Sequence, residues 1–132
     1  MAHRTVSCGP GSARPGLPDD PRARTVAPTP SCPVEITLNA LRGRWTTLVV
    51  RELLRGPHTF SELADALPAL SAKILTERLR QLAEAGVVHR DRSPGWPTTV
   101  RYRLTGRGRA LGPVLQSMWE WGATAPEAGS AP

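Results

Sequence analysis

SAKILTERLRQLAEAG, residues 71–86, has the pattern of one amphipathic helix with a start signal and a stop signal. Ser71 suits the N-cap, because its side-chain oxygen can accept a hydrogen bond from an orphan N–H of the first turn. Gly86 suits the position just after the helix, where a positive φ costs glycine little. With a period of 3.6 residues, leucines fall on one face and polar side chains on the other. The apolar face contains Leu75, Leu79 and Leu82, and the polar face Lys73, Thr76, Glu77, Arg80 and Gln81.

A shorter helix is predicted just before this one. Thr59 and Glu62 have the spacing of a capping box that opens a helix over residues 61–67, and Pro68 ends it. Two short helices joined by so tight a turn form a helix-turn-helix pair, whose second helix reads the major groove of DNA. The polar face of an isolated helix is more often simply solvated, so the DNA interpretation depends on the segment that follows.

That segment predicts a two-stranded hairpin. Residues 87–92 can extend as a strand, residues 93–97 have turn chemistry, and residues 100–104 alternate strictly, as a half-buried strand does. A helix-turn-helix followed by such a hairpin is a winged helix. Each strand carries two arginines on one face, and we expect them to contact phosphate or the minor groove. They are Arg90 and Arg92 on the first strand, and Arg101 and Arg103 on the second.

Two helices are predicted before this core. Cys32 suits the N-cap of the first, which runs to Leu41, because proline is favoured at the first helical position that follows it. The second covers residues 45–55, where apolar residues recur at helical spacing, and a Gly-Pro pair stops it.

One further helix is predicted from Thr105, its N-cap, to about Gly122. Gly106 and Gly108 weaken its first turn by roughly 1 kcal/mol each relative to alanine. Its apolar stripe and tryptophans offer more surface than one small core can cover, so a second subunit is expected to cover the rest.

The predicted architecture is α+β and mainly α, with one domain in a chain of 132 residues. Residues 32–122 form the winged helix-turn-helix DNA-binding and dimerisation domain. Residues 1–30 are a disordered Pro/Arg-rich leader, and residues 123–132 a disordered tail. The leader is either a solvated segment or an arm that contacts phosphates through its arginines.

The net charge of +6 comes almost entirely from arginine. Arginine suits phosphates and guanine edges, but a GC-rich genome would produce the same bias, and both interpretations stay open. The chain has no apolar run of about 18 residues and no secretory signal pattern, and two cysteines do not make a disulfide framework. A cytoplasmic, nucleoid-associated protein is therefore expected.

The segments CPVE at 32–35, GRWTTLVVREL at 43–53, LSAKILTERLRQLAEAGVV at 70–88 and YRLT at 102–105 carry a family likeness. The chain from Cys32 to about Gly122 resembles the HxlR-type winged-helix transcriptional regulators, relatives of the MarR type. The resemblance implies a homodimer whose first and last helices form the interface. The two recognition helices would then meet successive major grooves of a roughly palindromic operator. Gly106-Arg107 departs from the family pattern, which puts the rigidity of the last helix's first turn in question.

The resemblance also implies where this chain contacts DNA. Lys73 or Arg80 could pair with a guanine, and Glu77 could accept from a cytosine amino group. Arg78, on the flank of the helix, is expected to form an intramolecular ion pair or a phosphate contact. The implied base-reading residues are Ala72, Lys73, Thr76, Glu77 and Arg80, and the implied backbone contacts are Thr59, Ser61, Arg90, Arg92, Arg101 and Arg103.

Several HxlR-type regulators sense oxidants or electrophiles through a cysteine at the CPVE position. At a helix N-terminus the dipole favours the reactive thiolate of Cys32, whereas Glu35 and burial in an interface oppose it. Cys8 could act as a resolving thiol, or two Cys32 residues could meet across a dimer if their Cα atoms lie within about 7 Å. A small half-buried residue with no redox role is the equal alternative.

A small-molecule effector is the rival to redox control. Such an effector would bind between the dimerisation helices and the winged domain. The candidate residues for this pocket or for the dimer interface are Trp45, Leu115, Met118, Trp119 and Trp121, although aromatic residues at helical spacing are more often plain core.

No enzyme, metal or cofactor is predicted, because the histidines lack metal spacing and no Ser or Cys nucleophile has an evident base partner. The sequence predicts a repressor of a neighbouring gene, with double-stranded DNA and a second copy of the chain as partners and no membrane. The alternative is a winged-helix module that binds DNA without sequence preference or acts through protein partners.

Overall fold

The computed structural model describes residues 14–24, 27 and 29–126. The described residues form two compact units that divide between Asn39 and Ala40. The first unit contains one turn of 3₁₀ helix, Pro21–Ala23, which Asp20 caps. The Arg22 side chain, followed by the Gly16 N–H, holds the pKa of the Asp20 carboxyl well below its usual range. The sequence analysis did not anticipate this turn, and the disorder of the leader and the tail stays a prediction.

The described residues contain six α-helices and three β-strands in a mainly helical α+β fold, which confirms the predicted class. No helix in this part of the chain is long and apolar enough to cross a membrane. The elements are α1 Pro33–Ala40, α2 Thr46–Leu53, β1 His58–Thr59, α3 Phe60–Ala66, α4 Ala72–Glu84, β2 Val88–Ser93, β3 Thr99–Leu104, α5 Gly106–Arg109 and α6 Leu111–Gly122.

The three strands form one antiparallel sheet in the order β1-β3-β2. The predicted hairpin is β2 and β3, in the register Val88↔Leu104 to Ser93↔Thr99. The strand β1 is an addition to the prediction: it pairs His58 with Tyr102 on the other side of β3. Two residues are too few to show an alternating pattern, so this strand could not be predicted from the sequence.

The core of the second unit lies between α2, α3, α4 and the sheet. The predicted leucine face of α4 is buried, and Leu75 and Leu82 are fully enclosed. The partners are apolar residues at helical spacing on α2 and the inward-facing ends of the two long strands. The cluster contains Val49, Val50, Leu53, Leu63, Leu70, Leu75, Leu79, Leu82, Val87, Val88 and Leu104.

The last predicted helix is two helices, because the chain bends at Ala110 between α5 and α6. Thr105 caps α5 as predicted, and its Oγ1 accepts the Gly108 N–H at 3.0 Å. Pro113 has no N–H for the carbonyl of Arg109 four residues earlier, and its ring crowds that carbonyl. The prediction of one continuous helix from residue 105 to 122 is therefore wrong at this point.

Candidate nucleic-acid interface

The two helices of the helix-turn-helix begin where their capping residues predict. Thr59 Oγ1 accepts the Glu62 N–H at 3.1 Å, and Glu62 Oε1 accepts the Thr59 N–H at 2.8 Å, which completes the capping box of α3. Ser71 Oγ accepts the Ile74 N–H at 3.2 Å at the start of α4. The Thr59 N–H, and after it the charge of Arg101, lowers the pKa of Glu62. Ser61 is exposed in the first turn of α3.

The solvent-facing side of α4 carries two cations, Lys73, which is unpaired among the described residues, and Arg80, which is paired with a carboxylate. Lys73 has no ion pair or hydrogen-bond partner for its side chain among the described residues. Arg80 Nη1 lies 3.1 Å from Glu84 Oε2, an exposed pair one helical turn apart. Releasing such a pair costs about 1 kcal/mol or less, so both cations are available to DNA. Of the predicted base-reading residues, Ala72, Lys73, Thr76 and Arg80 are exposed and Glu77 is half-buried.

Two polar side chains of α4 are hydrogen-bonded within the protein, to the segment before α2. Gln81 is only 7% exposed, and its Nε2 donates to the carbonyl oxygens of Ala40 at 3.0 Å and Arg42 at 2.9 Å. The prediction that Gln81 lies on the exposed polar face is therefore wrong. Arg78 makes an intramolecular contact as predicted, but its Nε donates to the Arg44 carbonyl at 3.0 Å and not to a carboxylate. These bonds hold the recognition helix against the segment before α2.

The four wing arginines lie on two different faces of the hairpin. Residues paired across antiparallel strands share a face, and the register pairs Arg90 with Tyr102 and Arg101 with Asp91. One face of the hairpin contains the buried pair Val88 and Leu104 at its base, and the opposite face is exposed. The first face carries Arg90 and Arg92, and the second carries Arg101 and Arg103.

The second face of the wing is partly neutralised within the protein. Asp91 accepts Arg103 Nε at 2.6 Å and lies 2.9 Å from His89 Nε2. Arg101 Nη1 lies 3.7 Å from Glu62 Oε1. The two arginines of the first face have no carboxylate partner among the described residues. The uncompensated positive charge of the wing is therefore on the face that carries Arg90 and Arg92.

Cys32 is a free, half-buried thiol at the residue before α1. Its carbonyl accepts the Ile36 N–H at 2.9 Å, which is the first helical hydrogen bond and fits the predicted N-cap position. Cys8 lies outside the described residues.

The candidate effector residues do not all line one pocket: Leu115, Met118 and Trp119 share a cavity, and Trp45 and Trp121 lie outside it. Trp45 packs against the core. Trp121 lines an open groove of about 630 Å³ along α6, which Met118 shares. A smaller cavity of about 300 Å³ lies between α2 and α6, and above it the Arg51 guanidinium stands 5.8 Å from the centre of the Trp119 ring. The lining residues of this cavity are Thr47, Leu48, Arg51, Leu115, Met118 and Trp119.

Sequence reasoning missed one exposed aromatic residue of the wing. Residues 93–97 are assigned to a turn by their Gly and Pro content, yet Trp96 at this turn is 97% exposed. The available signal was a large apolar side chain inside a short turn, where glycine, proline and small polar residues are usual.

Comparison with known proteins connects this geometry to a family. Residues 40–129 match the family profile described as HxlR-like helix-turn-helix. The chain is 45% identical over 92 residues to the uncharacterized HTH-type transcriptional regulator sll1512 of Synechocystis sp., a match that covers 70% of this chain and 68% of the relative. Cys32 lies before the residues that match the profile.

The solved structures it resembles are regulators as well. The reduced form of the transcriptional regulator YodB from B. subtilis is 36% identical with a TM-score of 0.67, covering 74% of this chain and 97% of YodB. The redox regulator HypR in its reduced form is 36% identical with a TM-score of 0.64, covering 70% of this chain and 91% of HypR. YodB is also known in a quinone-bound form, at 34% identity and a TM-score of 0.61, covering 70% of this chain and 97% of that one.

Proposed function

Since this chain belongs to the HxlR-like helix-turn-helix family and is a transcriptional regulator of that type, we propose that it binds a roughly palindromic operator as a homodimer and represses a neighbouring gene. The observation that carries this proposal is the exposed row of Lys73, Thr76 and Arg80 on α4, beside the α3 N-terminus and the basic wing. A helix that presents such donors while its leucine face is buried has the form of a major-groove reader.

The expectation of a homodimer is supported by apolar surface on the last helix. Trp119 and Trp121 of α6 are 68% and 80% exposed, and Met118 between the same turns is half exposed. The first helix independently exposes Val34 and Leu38. Monomeric soluble proteins seldom leave contiguous apolar surface of this kind uncovered, and a second copy of the chain would cover it.

The proposal is tested by binding to a duplex taken from just upstream of the gene, against a shuffled duplex of the same composition, at fixed salt. We expect the wild-type protein to prefer the upstream duplex by about a thousandfold or more. Lys73→Ala and Arg80→Ala should lower this ratio, because they remove contacts to base edges. Arg101→Ala should weaken binding to both duplexes equally and flatten the salt dependence.

Arg55→Ala serves as the matched control, because it removes one exposed arginine at the end of α2. Equal affinity of the wild-type protein for both duplexes would contradict sequence-specific binding. That outcome would favour the alternative of a winged-helix module that binds DNA without preference or acts through protein partners.

We propose Cys32 as the residue through which an oxidant or electrophile releases the DNA. The likeness to a redox regulator and to a protein solved with quinone bound supports a reactive thiol in this chain too. Two reactions could modify the Cys32 thiol, addition to a quinone and formation of a disulfide. The Cys32 thiolate can add to a quinone ring, forming one C–S bond. One ring oxygen takes a proton from water and the other takes the proton that the attacked carbon loses, so the quinone becomes a hydroquinone thioether. Alternatively, diamide accepts two electrons and two protons from two thiols, which join as a disulfide.

The second thiol would be Cys8 or the Cys32 of the partner subunit, and two variants separate these routes. Cys32→Ser should keep its DNA affinity in the presence of diamide. Cys8→Ser should stay sensitive if the disulfide joins two Cys32 residues, and lose sensitivity if Cys8 is the resolving thiol. A Cys32→Ser protein that diamide still releases from DNA would refute a role for Cys32.

The cavity between α2 and α6 favours a second mode of control, by a small molecule. Its lining is largely apolar, and Arg51 supplies one cation without a carboxylate partner among the described residues. An aromatic anion would satisfy both features. Benzoate should therefore quench the tryptophan emission more strongly than neutral benzamide does, and Arg51→Ala should abolish the difference. Equal quenching by both compounds would rule out this site.

A further inference from the structure

Trp96 is the most exposed large apolar residue among those the structure describes, with a relative exposure of 97%. Tryptophan has one of the largest apolar surfaces of any residue and is highly buried on average. Its position at the turn between β2 and β3 makes no contribution to the core of the isolated chain. A contact made only in a complex explains such a side chain better than folding does.

The hairpin holds this indole well away from the core. Val88 and Leu104 are buried at the base of the hairpin, and six residue pairs lead from there to Ser93 and Thr99 at its tip. At about 3.4 Å per residue, the ladder projects the turn by about 17 Å. The base is fixed on both sides, because β3 is the central strand of the sheet. Trp96 is therefore presented on a rigid arm beside the helix-turn-helix.

The charge of the arm indicates what the indole meets. Between Val88 and Leu104 the sequence carries four arginines and one aspartate, a net charge of +3. Arg92, without a carboxylate partner in the described part of the chain, lies on the strand that leads into the turn. An apolar tip on a basic stem suits a polyanion whose charged edges flank apolar surface. The minor groove of DNA offers this, because phosphates run along its edges and deoxyribose faces line its walls, while polar base edges form its floor.

We propose that Trp96 inserts its indole into the minor groove that flanks the base pairs facing α4. This inference rests on the proposed function, since α4 must occupy the adjacent major groove. The indole packs against deoxyribose and wedges at a base step, while Arg92 meets the phosphates at the groove edge. A wedge of this kind favours steps that unstack easily, such as pyrimidine–purine steps. Trp96 thereby adds recognition of DNA shape to the base contacts of α4.

The test compares wild-type protein with Trp96→Ala and Trp96→Phe. Ser93→Ala is the matched control, because Ser93 is exposed at the end of β2 and its side chain has no hydrogen-bond partner among the described residues. The probes are the upstream duplex and its shuffled counterpart, each of about 30 base pairs, which is long enough for two half-sites one helical turn apart. Trp96→Ala should raise Kd for the upstream duplex about tenfold, because it removes most of the apolar area buried in the groove. Trp96→Phe keeps a smaller aromatic wedge and should lose about threefold or less, and Ser93→Ala should bind as the wild type does.

Two further readouts locate the indole. The emission of Trp96, taken as wild type minus Trp96→Phe, should shift to the blue and become protected from acrylamide when either duplex is added at low salt. Hydroxyl-radical cleavage, which attacks deoxyribose from the minor groove, should show a protected patch beside each half-site that Trp96→Ala loses. Because 97% of the side chain is exposed, none of these substitutions should change Tm.

Unchanged affinity of Trp96→Ala, or Trp96 emission that DNA leaves unchanged, would overturn the proposal. An emission shift with phosphatidylglycerol vesicles but not with DNA would overturn it in favour of a membrane surface. The proposed function fails separately, if the wild-type protein does not distinguish the two duplexes. The emission readout still decides the role of Trp96 in that case, because the basic wing binds any duplex at low salt.

Discussion

Replacing Gly108 with alanine should destabilise the protein strongly, although alanine is the better helix former. A Cβ atom built on Gly108 would lie 2.2 Å from the carbonyl oxygen of Val87 and 3.1 Å from Leu104 Cδ2. Ordinary contact between such atoms needs about 3.5 Å, so α5 and the chain at Val87 must separate by about 1 Å. That movement also stretches the hydrogen bond from the Thr105 N–H to Val87 O, now 3.0 Å long.

The cost follows from these contacts. Overpacking of a close contact costs about 1–3 kcal/mol, and a weakened backbone hydrogen bond adds about 1 kcal/mol. The better helix propensity of alanine returns at most about 1 kcal/mol. The net loss of about 1–3 kcal/mol should lower Tm by about 5–20 °C for a domain of this size.

Gly106 provides the matched control in the same short helix. Its added Cβ would approach only the far end of the Arg109 side chain, at 3.9 Å. Gly106→Ala should therefore leave Tm unchanged or raise it by a few degrees, in line with a gain of about 0.4–1 kcal/mol. Thermal unfolding followed by circular dichroism compares the two variants with the wild type. Equal Tm values for Gly108→Ala and Gly106→Ala would refute the close approach of α5 to Val87.

Three further predictions concern the recognition helix, the capping box of α3 and the wing. Gln81→Leu should lower the free energy of unfolding in urea by about 2 kcal/mol, because the Ala40 carbonyl loses its side-chain donor and the Arg42 carbonyl keeps the Thr46 hydroxyl but loses the Gln81 amide. An unchanged midpoint would contradict this. The lowered pKa of Glu62 means that its carboxylate stabilises the fold above the ordinary value of 4.5, and that this contribution disappears as the pH falls through the lower folded-state pKa. Glu62→Gln keeps the capping acceptor and should lose less Tm between pH 6 and pH 3 than the wild type, so equal pH profiles would argue against it. Arg92→Ala should reduce the slope of log Kd against log salt by about 1. Arg103→Ala should reduce it by less, because Asp91 already neutralises Arg103, and equal slopes for the two variants would contradict the difference between the two faces of the wing.

The parts of the interface that the sequence predicts are those controlled by neighbours along the chain. Thr59 and Glu62 lie three residues apart and cap α3, while Ser71 and Gly86 bracket α4, where Gly86 has a φ of +76°. Each of these signals works within one or two helical turns. The leucine face of α4 is likewise a matter of local periodicity, and it is buried as predicted.

The parts that the sequence does not predict depend on contacts between distant segments. Gln81 belongs to the polar face by periodicity, and only the approach of Ala40 and Arg42 shows that it points inward. Gly108 has the propensity of a helix breaker, and only the position of Val87 shows why no side chain fits there. The division of the wing arginines between two faces follows from strand register, which alternation within a single strand leaves open.

The hydrogen bonds between α4 and residues 40–44 make substitutions more costly on α4 than in the other segment. Arg78 and Gln81 supply the side chains, whereas the acceptors are main-chain oxygens that every residue type provides. Substitutions at residues 40, 42 and 44 therefore leave the acceptors in place, and those positions are free to drift among relatives as far as this attachment is concerned. Gly43 is the exception, because its φ of +92° favours glycine and a Cβ there would also meet the guanidinium of Arg78. The orientation of the recognition helix can thus be inherited unchanged through a segment whose other side chains diverge.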